Sequence, residues 1–294
     1  MHSGMVARES HGARIVGSCL CGAVEWSYDG PFERMFHCHC SVCRKHHGSL
    51  FSTTVTGPVD TFHWRSGMEK IGAWQSSAQR TRGFCTTCGS KVPRVQQETR
   101  TVFMPAGGLR GELGIRPQMR VFVGSKPAWH EITDSLPRHD GWPPGWNFGG
   151  VETSRRAGRE GVCSGSCACG RVRFELDGPP MVMMNCHCSR CRRARGAAHA
   201  TNLAWKLDAV RYLGGEDLAT NFDFPEAQHF GTTFCSHCGG FLPRKSPGRG
   251  WAIVPSGSLD TNPGVQPRAH IHVASKAPWH DITDHLPQFP AGAG

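Results

Sequence analysis

Every cysteine but Cys163 sits in one of three short groups, and each group occurs twice. The first set is Cys19 and Cys21; Cys38, Cys40 and Cys43; Cys85 and Cys88. The second is Cys167 and Cys169; Cys186, Cys188 and Cys191; Cys235 and Cys238. Thiols one or two residues apart suit tetrahedral zinc, whose Zn–S bonds of about 2.3 Å need sulfurs only a few ångströms from each other. Gly22, Gly89, Gly170 and Gly239 each directly follow a cysteine, where a positive φ lets the turn close around a metal. Seven cysteines per set cannot make two closed four-thiolate sites, so the partition is four plus three. The two-cysteine groups combine naturally: Cys19, Cys21, Cys85 and Cys88 as one closed structural site, with Cys167, Cys169, Cys235 and Cys238 as its counterpart. Cys38, Cys40 and Cys43, and likewise Cys186, Cys188 and Cys191, then leave a fourth position open to water, a thiol or a carbonyl oxygen. The competing reading closes that position with His37, His39, His46 or His47. Of these, His37 becomes Asn185 and His47 becomes Arg195 in the second set. His39 persists as His187, but between two ligands its ring tends to point away.

These groups are positioned by a duplicated domain. Cys19 to Cys43 recur at an offset of 148 and Cys85 and Cys88 at 150, so a two-residue insertion falls around Leu213 to Gln228, where a surface loop tolerates it. The match continues from Ser125, Lys126 and Trp129 to Ser275, Lys276 and Trp279. Residues 1–140 are read as the first copy, 141–161 as a linker of Pro, Gly and Trp followed by polar residues, and 162–290 as the second copy. Val24, Trp26 and Tyr28 alternate with polar neighbours and stop at Asp29-Gly30; Val172, Phe174 and Leu176 stop at Asp177-Gly178. That period of two marks half-buried strands. Further strand-like stretches are Thr101 to Met104, Met119 to Val123, Trp251 to Val254 and His270 to Val273. The expected fold is mainly β and mostly antiparallel: two tandem zinc-stapled domains with little helix. Two like copies can also bury like faces against each other as an intramolecular pseudo-dimer.

Composition narrows the function classes. The chain has 294 residues, 38% hydrophobic and 19% charged, with no apolar run near the ~18 residues of a membrane span. Met1 to Val16 does not read as a secretory signal. An odd number of closely spaced cysteines argues for metal rather than disulfides and for a reducing, cytoplasmic setting. The formal charge of +10 falls to about +4 once two Zn²⁺ and seven thiolates per copy are counted, which makes nucleic acid an unlikely partner. Cys163, with Ile15 in its place in the first copy, reads as a bystander thiol.

The motifs Gly17-Ser18-Cys19-x-Cys21-Gly22, Cys38-His39-Cys40-Ser41-x-Cys43-Arg44, Phe84-Cys85-x-x-Cys88-Gly89 and Ser125-Lys126-x-x-Trp129, with their second-copy equivalents, resemble the glutathione-dependent formaldehyde-activating enzyme family, which includes centromere protein V. The resemblance covers nearly the whole chain, twice. It implies a β-tent fold, a four-cysteine structural zinc, a three-cysteine catalytic zinc, and a carbon–sulfur lyase reaction joining formaldehyde to glutathione. A thiol at the open position would lose its proton readily and add to an aldehyde carbonyl, giving a hemithioacetal. Arg44 and Arg192 could hold a carboxylate of the thiol substrate, or simply offset thiolate charge. Trp129-His130 and Trp279-His280 could wall a pocket, though such a tryptophan is more often core. The alternative function is a zinc-stabilised binding module for protein or nucleic acid, which the cluster Arg190, Arg192, Arg193 and Arg195 favours slightly. Thiol–disulfide chemistry is the weaker third reading.

Overall fold

The computed structural model describes residues 14–146, 148 and 161–293. Each copy is built of short strands. In the first, Glu25–Tyr28 lies between Ile15–Ser18 and Phe62–Ser66 in an antiparallel three-stranded sheet. Trp26 and Tyr28 are fully buried at its centre, but so is Ser27 between them: the central strand is covered on both faces rather than half-buried, because strands flank it on both sides and the copy packs over its outer face. A six-stranded sheet follows in the order Arg138–His139, Met119–Val121, Arg34–Cys38, Ser52–Pro58, Thr101–Pro105, Arg94–Gln96. Met119–Val121 pairs parallel with Arg34–Cys38, placing Val121 beside Cys38, a parallel feature in an otherwise mostly antiparallel arrangement. The hairpin Ile71–Ser77 and Arg80–Cys85 completes the copy.

The second copy repeats the plan. Cys163–Ser166, Arg173–Leu176 and Val210–Gly214 form its small sheet, and Arg244–Ser246, Trp251–Pro255, Ala200–Lys206, Val182–Cys186 and His270–Ile271 its large one. Its hairpin, Ala219–Asp223 and Gly231–Cys235, carries the longer connection that accommodates the two extra residues.

Two short α-helices, Ser41–His47 and Ser189–Arg195, were not legible as helical periodicity, because about two turns are too short to show any. Cys40 and Cys188 cap them: each sulfur accepts a hydrogen bond from the backbone N–H of Cys43 or Cys191, at 3.3 Å. Gly48 and Gly196 end them in the left-handed conformation, as C-terminal glycines do.

The copies pack against each other through these helices. Ser41–His47 lies on the turn Ser256–Ser258, and Ser189–Arg195 on the turn Ala106–Gly108. The approach is so close that a Cβ on Gly257 would sit 2.3 Å from the Arg44 carbonyl oxygen, and one on Gly107 2.4 Å from that of Ala197. Lys45 Nζ reaches Asp260 at 2.5 Å and also contacts the Ser166 hydroxyl. Lys91 Nζ donates to the carbonyls of both Gly89 and Gly239, tying the two Phe-Cys-x-x-Cys-Gly turns together. One continuous buried cluster runs through Trp26, Phe84, Phe174, Phe234 and Phe241.

Candidate metal centres and the cavities beside them

The sulfurs of Cys19, Cys21, Cys85 and Cys88 lie within 4.8 Å of one another, as do those of Cys167, Cys169, Cys235 and Cys238. Cys38, Cys40 and Cys43 converge within the same distance, and so do Cys186, Cys188 and Cys191. The grouping is the four-plus-three partition read from the spacing. The donor sets fit a metal on their own chemistry. Four closely gathered thiols, three of them buried, would waste their polarity on one another, whereas thiolate sulfurs around a cation are held by charge. Backbone N–H groups already point at the sulfurs, from Val24 to Cys19 at 3.3 Å, Val172 to Cys167 at 3.4 Å and Gly240 to Cys238 at 3.4 Å. Such donors favour the ionised form. The glycines after the cysteines take positive φ, 79° at Gly22 and 72° at Gly89. These cysteine groups can therefore hold metal ions, and their composition suits zinc.

Within each three-cysteine group one thiol ionises far more readily than the others. Cys43 is held well below the usual thiol range by hydrogen bonds from Cys38 and Cys40, with Arg82 adding positive charge. In the second copy Cys188 is pushed down to about 2 by Cys186 and Cys191. Burial pushes Cys38 well up, and hydrogen bonding to its neighbours raises Cys191. A second negative charge so close needs a cation to accompany it.

No histidine joins these groups among the described residues. His39 turns its Nε2 to Arg120 at 3.0 Å, and Arg120 grips Asp134. In the second copy His187 Nε2 meets His270 Nδ1 at 2.8 Å and His270 Nε2 meets Asp284 at 3.0 Å. The central histidine of Cys-His-Cys is thus anchored away from the sulfurs by a carboxylate relay, with Arg120 in one copy and His270 in the other. His37 is bonded to Thr53, and His46 to the Cys238 carbonyl across the copy boundary.

A cavity of about 60 Å³ opens beside Cys38 and Cys43, lined by His47, Arg80, Arg82, Arg94 and Trp142 among others. Arg80 and Arg82 alternate along the strand Arg80–Cys85 with both side chains buried. Arg82 donates to Cys43 Sγ at 3.6 Å. His47 Nδ1 is 2.6 Å from the Arg195 carbonyl oxygen, which must accept, so the proton lies on Nδ1 and Nε2 is the basic nitrogen. Burial lowers His47 to about 4, leaving it neutral near pH 7. Trp142, Trp146 and Phe148, from the stretch read as linker, pack on Phe36 and Phe103, and Trp142 borders this cavity.

Four residues expected to contact substrate lie elsewhere. Arg44 and Arg192 direct Nε to the carbonyls of His39 and His187, at 3.3 and 3.2 Å. The turn that carries them needs those donors to close, so neither lines the cavities beside the three-cysteine groups. Trp129 and Trp279 are buried, as core residues are; Trp129 borders a separate cavity between the copies that also contains His199 and His280. Arg195 lies flat on Phe241, its guanidinium 3.8 Å from the ring centre, which removes it from the basic surface cluster. Arg80 and Arg82 carry a signal in the sequence, arginines at alternating positions of a strand that leads into a cysteine pair; Arg94, on the later strand Arg94–Gln96, carries none.

The glutathione-dependent formaldehyde-activating enzyme model matches residues 14–125 and again 162–275. The chain belongs to that family. Its domain occurs here twice, and the mainly β architecture follows from both copies. A Halomonas elongata protein provisionally named as a glutathione-dependent formaldehyde-activating enzyme is 31% identical over 131 residues, which are 41% of this chain and 81% of that relative. A crystal structure of a Rhodobacter sphaeroides protein aligns with 24% identity and a TM-score of 0.29, covering 33% of this chain and 89% of the other. Among the described residues no helix is long and apolar enough to cross a membrane.

Proposed function

We propose that the protein is a zinc-dependent carbon–sulfur lyase that joins a small thiol to an aldehyde and cleaves the adduct, with glutathione and formaldehyde as the pair the family name supplies. In this reading four Zn²⁺ are held per chain. Two would sit in the closed four-cysteine groups and two in Cys38, Cys40 and Cys43 and in Cys186, Cys188 and Cys191. The copies span 1–140 and 162–290 about the connection 141–161 and pack as a pseudo-dimer in a reducing, cytoplasmic compartment. All fifteen cysteines are free, in keeping with that setting.

Bound zinc would supply the charge that keeps the thiolates ionised and makes an incoming thiol more acidic. The chain's own residues supply the rest. The neutral His47 accepts the thiol proton at Nε2, and the Arg195 carbonyl holds the opposite nitrogen in register. The sulfur adds to the carbonyl carbon; one S–C bond forms, the C=O pair moves to oxygen, and the proton passes to that oxygen, with no oxidation. Arg80 and Arg82 offset the negative charge that grows there. A cavity of about 60 Å³ is small, which suits a one-carbon aldehyde and a thiol head, with the thiol's body lying towards Trp142.

The observation that carries the reading is the first three-cysteine group itself: sulfurs converging without a histidine and facing a cavity that holds a neutral base and arginines. The test replaces zinc by cobalt(II) and titrates glutathione against the visible thiolate–cobalt spectrum, then follows ¹³C-formaldehyde addition by NMR. A saturable spectral change, lost in the Cys40→Ser/Cys188→Ser protein, and catalysed adduct formation are expected. Unchanged spectra at full cobalt occupancy, with adduct forming at the uncatalysed rate, would refute it and bring a binding-module role forward.

A further inference from the structure

We infer that the cavity beside Cys186 and Cys191 takes a ligand with an apolar body, an alkyl chain, and so serves a different ligand class from the first. It occupies about 360 Å³, inside the range of about 300–1,000 Å³ typical of small-molecule sites, against about 60 Å³ in the first copy. Its walls are Met184, Leu203, Phe230, Trp251, Ile253 and Ile271.

The repeat makes the comparison position by position. Phe230 stands where the first copy has Arg80 and Thr232 where it has Arg82; Met184 replaces Phe36 and Ile253 replaces Phe103. Thr232 turns its hydroxyl to the Cys88 carbonyl at 2.8 Å, so nothing in that position charges the cavity. Arg244, the counterpart of Arg94, is drawn off by an ion pair with Asp223. Arg249 sits over the Trp251 ring. Arg195 is stacked on Phe241 and bonded to Asn202 at 3.4 Å, but its buried Nη1 has no partner. Two lining residues keep a buried donor without a partner, Arg195 Nη1 and Trp251 Nε1, and so few polar atoms on an otherwise apolar wall fit a ligand with a small polar head. A polyanionic body such as glutathione's would lose hydration against these walls without recovering it. Nor is this chamber covered as the first is: the position matching Trp142 is Gly292.

That the head is a thiol directed at Cys186 and Cys191 rests on the function proposed above; the apolar body does not. Calorimetric titration of the full-length zinc-loaded protein with butane-, pentane- and hexane-1-thiol, and with hexan-1-ol against butan-1-ol, separates the two. Affinity should tighten about fourfold for each added methylene. Phe230→Arg should weaken hexanethiol at least tenfold and flatten the series. Met184→Phe, which fills the chamber while keeping it apolar, should cost the six-carbon ligand more than the four-carbon one. A flat series, or a slope unchanged in both variants, overturns the assignment, even if glutathione still perturbs the cobalt spectrum. If instead alcohols show the slope and no thiol perturbs cobalt, the lyase reading fails and the apolar chamber stands.

Discussion

Lys45→Met tests how far the two copies depend on each other. Lys45 is 4% exposed and its partner Asp260 7%, at 2.5 Å across the copy boundary. Ser166 donates to the other carboxylate oxygen at 2.7 Å. Removing one member of a buried pair strands the other charge and costs about 3–5 kcal/mol. Asp260 would keep only the serine. The matching place on the other side of the pseudo-dyad offers no substitute, since Arg193 and Arg110 stand there and Arg110 is bonded to Ser18. At about 2 °C per kcal/mol for a chain of this size, the midpoint should fall about 6–10 °C. The assay is urea and thermal unfolding of the zinc-saturated protein, followed by tryptophan fluorescence and far-ultraviolet circular dichroism. The two probes should coincide in the parent chain and separate in the variant as the copies uncouple. Lys45→Met/Asp260→Leu removes both charges and should recover most of the loss. A single variant that loses less than about 1 kcal/mol, or a double variant that loses the sum of its parts, would refute the argument that this ion pair couples the copies.

Chelating the metal should unfold both copies, because structural zinc contributes about 10–16 kcal/mol in small domains; Cys88→Ser should reproduce the loss in part, whereas Cys163→Ser, whose thiol burial pushes up to about 11, should change neither zinc content nor dichroism. His47→Asn keeps a donor to the Arg195 carbonyl but removes the basic nitrogen, so kcat should fall about 10²–10⁴-fold. Because burial depresses His47 to about 4, its basic form is present above that value and lost as pH falls through it, and the parent rate should show no step near 6.5 from this group. His199 is buried and held well below its ordinary value. It stays neutral in the folded protein while the unfolded chain takes up a proton below about 6.5, so stability is lost as pH falls from there. His199→Leu should flatten that slope by up to about 1.4 kcal/mol per pH unit, seen in urea midpoints between pH 7 and pH 5.

The cysteine spacing determined a great deal by itself. Sulfurs one or two residues apart have few places to go, so the four-plus-three grouping and the positive φ of the following glycines were legible from local chemistry, as was the strand carrying Trp26 and Tyr28. The short helices after Cys40 and Cys188 were not, because seven residues show no period. What faces each three-cysteine group was decided only in three dimensions. Arg44 is adjacent in sequence to Cys43 yet is spent on its own turn, while Arg80 and Arg82, far along the chain, reach the cavity because their strand returns beside it. His47 owes its tautomer to a carbonyl of the other copy, and Trp142 borders a site in a copy whose sequence pattern ends before it. Thiols one or two residues apart are held together by the chain itself, but bringing Cys19 and Cys21 to Cys85 and Cys88 takes the fold, and the field and shape around an open site are likewise set by packing, which brings together residues that no spacing connects.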